Sequence, residues 1–225
     1  MTPFSFNSRR SPVYAKNGIV ATSQPLATAA GLEILAKGGN AADAAVAAGA
    51  ALNVTEPTST GIGGDMFALY YSADTKRVTA LNGSGRAPSA LTLNRLKTDG
   101  FASSIHPFHA HTVTVPGACA GWFDLIEKHG SLSLSEILSP AIRLADEGFP
   151  VAPITSYFWG RGAERQLKSA LNGSELTIDG RAPNAGEIFY NKGLAKTFRE
   201  VAEKKAEGFY QGQIAESIVS VIKEA

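Results

Sequence analysis

GGNAADAAVAAGAALNVTEPTSTGIGGDMFALYYSADTKRVTALNGSGRAP, residues 38–88, decides the fold. Asn40 stands ahead of a helical run with Asp43 three residues on, the spacing of a capping box. The helix it opens, about Ala41 to Leu52, is nearly all alanine, with Val46 and Leu52 its larger members. Side chains this small let neighbouring elements approach closely, so the helix is predicted to be buried between two layers. Glu56-Pro57 ends it.

Thr58 to Asp65 (TSTGIGGD) is Gly-rich. A phosphate cradle would need a strand before the loop and a helix after it, so that helix amides face the anion. Here the order is helix, loop, strand, and the loop reads as a tight turn into a sheet. Met66 to Tyr71 (MFALYY) is a continuous apolar strand, predicted to lack a wet face. Ser72 to Lys76 turns the chain and Arg77 to Leu81 returns, giving a hairpin. Asn82 to Pro88 (NGSGRAP) then sets an unusual loop path. Arg86 on it has two readings. One is a structural arginine bonded to loop carbonyls; the other is a clamp for a substrate carboxylate, which a guanidinium meets in bidentate fashion.

Outward from this stretch, residues 1–17 read as an irregular arm and Gly18 to Ser23 as a short strand. Pro25 to Lys37 has helical apolar spacing and stops at Gly38-Gly39. Leu91 to Phe101 reads as a short helix. Thr112 to Val115 reads as a strand, Pro116-Gly117 as a turn and Ala118 to His129 as a helix stopped by Gly130. Pro140 is placed at a first helical position, with Gly148 closing that helix. Pro153 to Leu171 is a third helical region, and Asn172 to Asn184 is turn-rich. Lys192 to Lys205 is a helix, Gly208 to Gly212 a turn, and Gln213 to Ala225 an amphipathic helix with Ile214, Ile218, Val219 and Ile222 on its apolar side.

Composition narrows the function. The 225 residues carry 21 basic and 20 acidic side chains, a net charge of +1, which offers no surface for nucleic acid or membrane. No apolar run approaches the length of a bilayer-spanning helix. Arg9 and Arg10 precede no apolar segment, so no secretory signal is expected. Cys119 is the single cysteine, which excludes an internal disulfide and fits a reducing compartment, so a cytoplasmic location is expected. Cys119 has no basic neighbour to activate it and reads as a buried small residue. His106, His109 and His111 are interrupted by Pro107 and lack a Cys or carboxylate at ligand spacing, so no metal site is expected. There is no Ser-His-Asp set, no nucleophile elbow and no carboxylate pair in a plausible site.

The segments GIVATSQPLAT, GLEILAKGGNAADAAVAAGAALNVTEP, GIGGDMFALYY, TVPGACAGW, SLSEILSPAIRLADEGFPV and GFYQGQIAESIV follow one another in a pattern that resembles gamma-glutamyltransferases, over the N-terminal part of their large subunit. The resemblance implies an α+β fold, the N-terminal-nucleophile hydrolase αββα four-layer sandwich, with only its N-terminal portion present. It divides the chain into the arm 1–17, a segment 18–90 contributing to the sandwich and a mainly helical segment 91–225. It implies a precursor that cuts itself into two subunits, the new N-terminal Thr of the small subunit being the nucleophile and its own amine the base. That Thr would lie beyond these residues, so no catalytic residue is expected in this chain, and no cofactor. The implied partners are the small subunit of the same precursor and a small amide substrate such as a gamma-glutamyl compound.

One departure bears on specificity. Typical members read Arg-Glu-Thr-Ala-Pro after the hairpin, and that arginine holds the glutamyl α-carboxylate. Aligning on Ala87-Pro88 puts Ser84 at the arginine position and Arg86 two residues later. Two extended residues move a guanidinium by up to about 7 Å. Ser84 and Arg86 are therefore the candidate substrate-binding residues, and the loop looks more like the branch of cephalosporin-acylase-like and oxamate-type amidohydrolases. An inactive truncated scaffold or binding paralogue is the alternative of a different class.

Overall fold

The computed structural model describes residues 11–224; the first ten residues of the expected arm and Ala225 lie outside them. Helix α1 (Pro25–Ala36) leads through Gly38, whose φ of +93° suits glycine, into α2 (Ala41–Thr55). The predicted capping box is present. Asn40 Oδ1 accepts from the amide of Ala42 at 2.8 Å, and Asp43 Oδ2 accepts from the amide of Asn40 at 2.8 Å. Asp43 is fully buried and also takes the hydroxyl of Ser131 at 2.6 Å, so the same carboxylate pins the segment after α4. Helix α2 packs against α1, α4 (Ala118–His129) and α5 (Leu134–Glu147), and Ala47, Ala50 and Ala51 have no exposed surface at all. Small side chains make this possible, because only Cβ atoms separate the backbones.

Strands β1 (Met66–Ser72) and β2 (Arg77–Gly83) form the predicted hairpin, antiparallel in the register Met66↔Gly83 to Ser72↔Arg77. Its inner face lies on α4, where Tyr70 stacks on His129 with ring centroids 4.1 Å apart and Thr79 Oγ1 lies 2.9 Å from His129 Nε2. The outer face corrects the expectation of a strand without a wet side. Burial alternates along β1, and Phe67, Leu69, Tyr71 and Val78 are 60–79% exposed. The residues suit a doubly covered strand, but nothing among the described residues covers them.

Helix α3 (Leu93–Thr98) is capped by Thr92, whose hydroxyl accepts from the amide of Arg95 at 3.1 Å. Helix α5 starts earlier than its proline suggested. Ser133 caps it with Glu136 closing a second capping box, and Pro140 lies inside the helix. Proline lacks the amide that would bond the carbonyl of Glu136. The hydroxyl of Ser139 donates to that carbonyl instead, at 2.8 Å. Beyond α5, β3 (Phe149–Pro150) pairs antiparallel with β4 (Ile188–Phe189), a contact the sequence did not announce. Helix α6 (Pro153–Gly162) passes into a π-helical turn, Ala163–Leu167, so the predicted single helix to Leu171 is two pieces. Helix α7 (Lys192–Tyr210) runs five residues past the expected end, with a break at Lys205 (φ 56°), and α8 (Gly212–Glu224) follows. Asp146 at the end of α5 pairs with Lys192 at 2.8 Å and Arg199 at 2.5 Å, fastening α7 to it.

Gly18 to Ser23 and Thr112 to Val115 are not strands among the described residues. Both have β-prone residues but no ladder partner there, and a strand exists only by pairing. A 3₁₀ turn, Ala110–Thr112, replaces the start of the second.

Candidate functional site

The two candidate residues, Ser84 and Arg86, sit on the loop that leaves β2, and backbone contacts hold that loop. The amide of Gly85 donates to Asp65 Oδ1 at 2.6 Å, tying it to the Gly-rich turn before β1. The amide of Val115 donates to the carbonyl of Arg86 at 2.9 Å. Close approach makes glycine necessary at two points. A Cβ on Gly85 would lie 2.0 Å from the carbonyl oxygen of Val115, and one on Gly117 2.3 Å from that of Gly83. The loop and the Val115–Gly117 turn therefore interlock, main chain against main chain.

The start of α4 completes the frame. A helix leaves its first amides without internal partners. Here the carbonyl of Gly64 accepts from the amides of Gly117 at 3.0 Å and Ala118 at 2.8 Å. The hydroxyl of Tyr210, at the end of α7, accepts from the amide of Ala120 at 3.0 Å and donates to the carbonyl of Pro116 at 2.7 Å. The Gly-rich segment thus serves as the tight turn into β1. Asn53, which sequence reasoning passed over, steadies it: its amide nitrogen donates to Thr60 Oγ1 at 2.7 Å, while its buried Oδ1 has no partner among the described residues. The signal for it was a polar residue on an otherwise apolar helix.

On this rigid support the side chains of Ser84 and Arg86 are exposed, and neither hydroxyl nor guanidinium bonds another described residue. The reading of Arg86 as a structural arginine held by loop carbonyls is not what the structure shows. The loop presents an exposed hydroxyl and an exposed guanidinium, and a guanidinium can meet a carboxylate in bidentate fashion. A cavity of about 870 Å³ between α7, α8 and Ile62-Gly63 includes neither residue.

The histidines are placed otherwise. His111 Nε2 lies 2.9 Å from Asp99, which also pairs with Arg95, and His109 Nδ1 accepts the amide of His111. These contacts hold the 3₁₀ turn to α3. Among the described residues no group of three or more His, Cys, Asp or Glu is placed to hold a metal. Cys119 is fully buried, and burial pushes its thiol up to about 12.

The family model for gamma-glutamyltranspeptidase matches residues 27–225. The chain belongs to the gamma-glutamyltranspeptidase family. It is 34% identical to the glutathione hydrolase proenzyme of Bacillus subtilis, over 99% of this chain and 38% of that protein. It is 38% identical to the glutathione hydrolase-like YwrD proenzyme of the same organism, over 90% of this chain and 38% of that one. Among solved structures, cephalosporin acylase from Bacillus halodurans superposes with a TM-score of 0.90 at 43% identity, covering 99% of this chain and 42% of that one. Helicobacter pylori gamma-glutamyltranspeptidase gives 0.87 at 33% identity, covering 95% and 62%. The described residues are accordingly an α+β part of the N-terminal-nucleophile hydrolase fold that the gamma-glutamyltranspeptidase family shares. The chain spans 38% of the length of these curated relatives.

Proposed function

We propose that this chain is the N-terminal part of the large subunit of an amidohydrolase or acyltransferase precursor. The complete protein cuts itself and moves an amide-linked acyl group, gamma-glutamyl or a related one, through the N-terminal Thr of its small subunit. In this reading Ser84 and Arg86 bind the acyl group's carboxylate, and the reacting groups are supplied from outside these residues. The observation that carries the reading is the bare apolar face of a firmly held hairpin, Phe67, Leu69, Tyr71 and Val78, directly followed by the locked loop with its free guanidinium. Part of an enzyme would have such a face where the rest of its sandwich stacks. The proenzyme names of the relatives agree with self-cleavage. The single buried cysteine supports a cytoplasmic location.

Two features favour the acylase branch. Arg86 is displaced by two positions from the family's clamp, and the match to cephalosporin acylase, at 43%, exceeds the 33% match to the H. pylori transpeptidase. The test is to express the whole coding sequence and compare hydrolysis of γ-glutamyl-p-nitroanilide with that of glutaryl-p-nitroanilide, which keeps the carboxylate and lacks the α-amine. The acylase branch predicts glutaryl turnover at least equal to γ-glutamyl turnover; strict preference for γ-glutamyl overturns it. Turnover of either by residues 1–225 alone overturns the placement of the nucleophile outside this chain.

A further inference from the structure

A second cavity, of about 450 Å³, opens between the loop after α2 and the α6–π junction, on residues that the amide-cleaving reading does not use. Its size falls in the range of small-molecule sites. Trp159, 2% exposed, lies at its base, and the indole N–H is spent on the carbonyl of Leu176 at 2.8 Å. That ring is sealed into the core, so the apolar surface open to a ligand is the half-exposed ring of Phe158, which Leu167 and Leu176 extend.

The rim has the opposite chemistry. Arg161 and Arg165 stand one helical turn apart on it, facing the exposed Thr58 and Ser59. Neither guanidinium is paired with a carboxylate among the described residues. The adjacent Glu164 is engaged by Lys168 at 2.7 Å. Arg165 lies over the ring of Phe108, 5.8 Å from its centroid. Two like charges at this spacing repel each other and cost stability unless an anion joins them. Both sit where α6 changes to a π-turn, a local irregularity that recurs at functional sites.

We propose that this cavity binds a small organic carboxylate with an apolar body, the carboxylate held at the rim by Arg161 and Arg165 and the body laid on Phe158, above the buried Trp159. The hydroxyls of Thr58 and Ser59 supply the remaining hydrogen bonds. The site is separate from Ser84 and Arg86, so it stands or falls independently of the proposed reaction.

The test uses the complete processed protein that contains this chain. 4-Phenylbutyrate is titrated while tryptophan emission and heat are recorded, with 4-phenylbutyramide as the uncharged counterpart. Saturable one-to-one binding is expected with a dissociation constant below about 1 mM. It should weaken at least about tenfold for the amide and for Arg161→Gln or Arg165→Gln, because a charged hydrogen bond is lost. Both arginines are exposed, so these variants keep the fold, and unchanged far-UV circular dichroism verifies it. Binding should survive Arg86→Ala. Equal affinity for acid and amide, indifference to both arginine substitutions, loss with Arg86→Ala, or no saturation up to about 10 mM overturns the proposal.

Discussion

Gly117 lies against the carbonyl of Gly83 so closely that a single added methyl would come within 2.3 Å of the oxygen. The contact joins the start of α4 to the end of β2 and fixes the path of the loop carrying Arg86. Gly117→Ala should lower stability by about 1–3 kcal/mol, the usual cost of forcing a carbon into packed space. Urea denaturation measures it. Because the atom met is backbone, the loop must shift, and the complete enzyme should lose activity even where it is folded.

Arg86→Ala in the complete precursor should raise KM for carboxylate-bearing substrates roughly ten- to hundredfold with kcat little changed. That is the pattern of a ground-state contact removed, and the size that of a charge-assisted bond. The split between the two constants is the readout. An unchanged KM would remove Arg86 from the site.

Residues 1–225 expressed alone should self-associate through the outer face of the hairpin, since exposed apolar strands pair or aggregate. Light scattering should show oligomers. The double change Phe67→Lys and Leu69→Lys should return the sample to a monomer without loss of helical circular dichroism, as both side chains point away from α4.

Arg181 holds Glu187 through both carboxylate oxygens, at 2.7 and 2.8 Å, and the amide of Asn184 adds a third bond at 2.7 Å. The Arg181 hydrogen bonds, more than any other contact, bring its pKa from 4.5 down to about 2. A folded-state value below the unfolded one means that the stabilisation is complete above 4.5 and is lost as pH falls toward 2. Glu187→Gln should therefore unfold at lower urea than the parent at neutral pH, and the gap should close across that window. The pair is exposed, so the effect is small.

Cys119, enclosed among core residues and with its thiol held neutral, should not react with Ellman's reagent at pH 8 in the native protein. It should titrate fully in guanidinium chloride. Rapid native reaction would contradict the burial.

The elements legible in the sequence were those with local grammar. Asn40 and Asp43 announce α2, the MFALYY and RVTAL runs announce the hairpin, and Gly130 and Gly148 close their helices. Pro140 does not start the helix because the hydroxyl of the neighbouring Ser139 bonds the Glu136 carbonyl that a proline leaves unmet. The expected strands at residues 18–23 and 112–115 failed because pairing is a long-range relation. The two-residue β3–β4 ladder went unseen for the same reason. Ser84 and Arg86 could be picked from their loop. What holds that loop, Asp65, Val115, Gly117 and Tyr210, is scattered over 146 positions as the chain runs from 65 to 210, and only the fold assembles it.

The alanine-built helix α2 has a genetic consequence. Every single-base change that alters an alanine codon yields Gly, Val, Ser, Thr, Pro, Asp or Glu. Each is looser, bulkier, helix-breaking or in need of a polar partner at positions such as Ala47, Ala50 and Ala51, where no surface remains. Point mutation has almost no neutral exit from this helix, so random mutagenesis of the gene should leave a trough of tolerated variants across its codons.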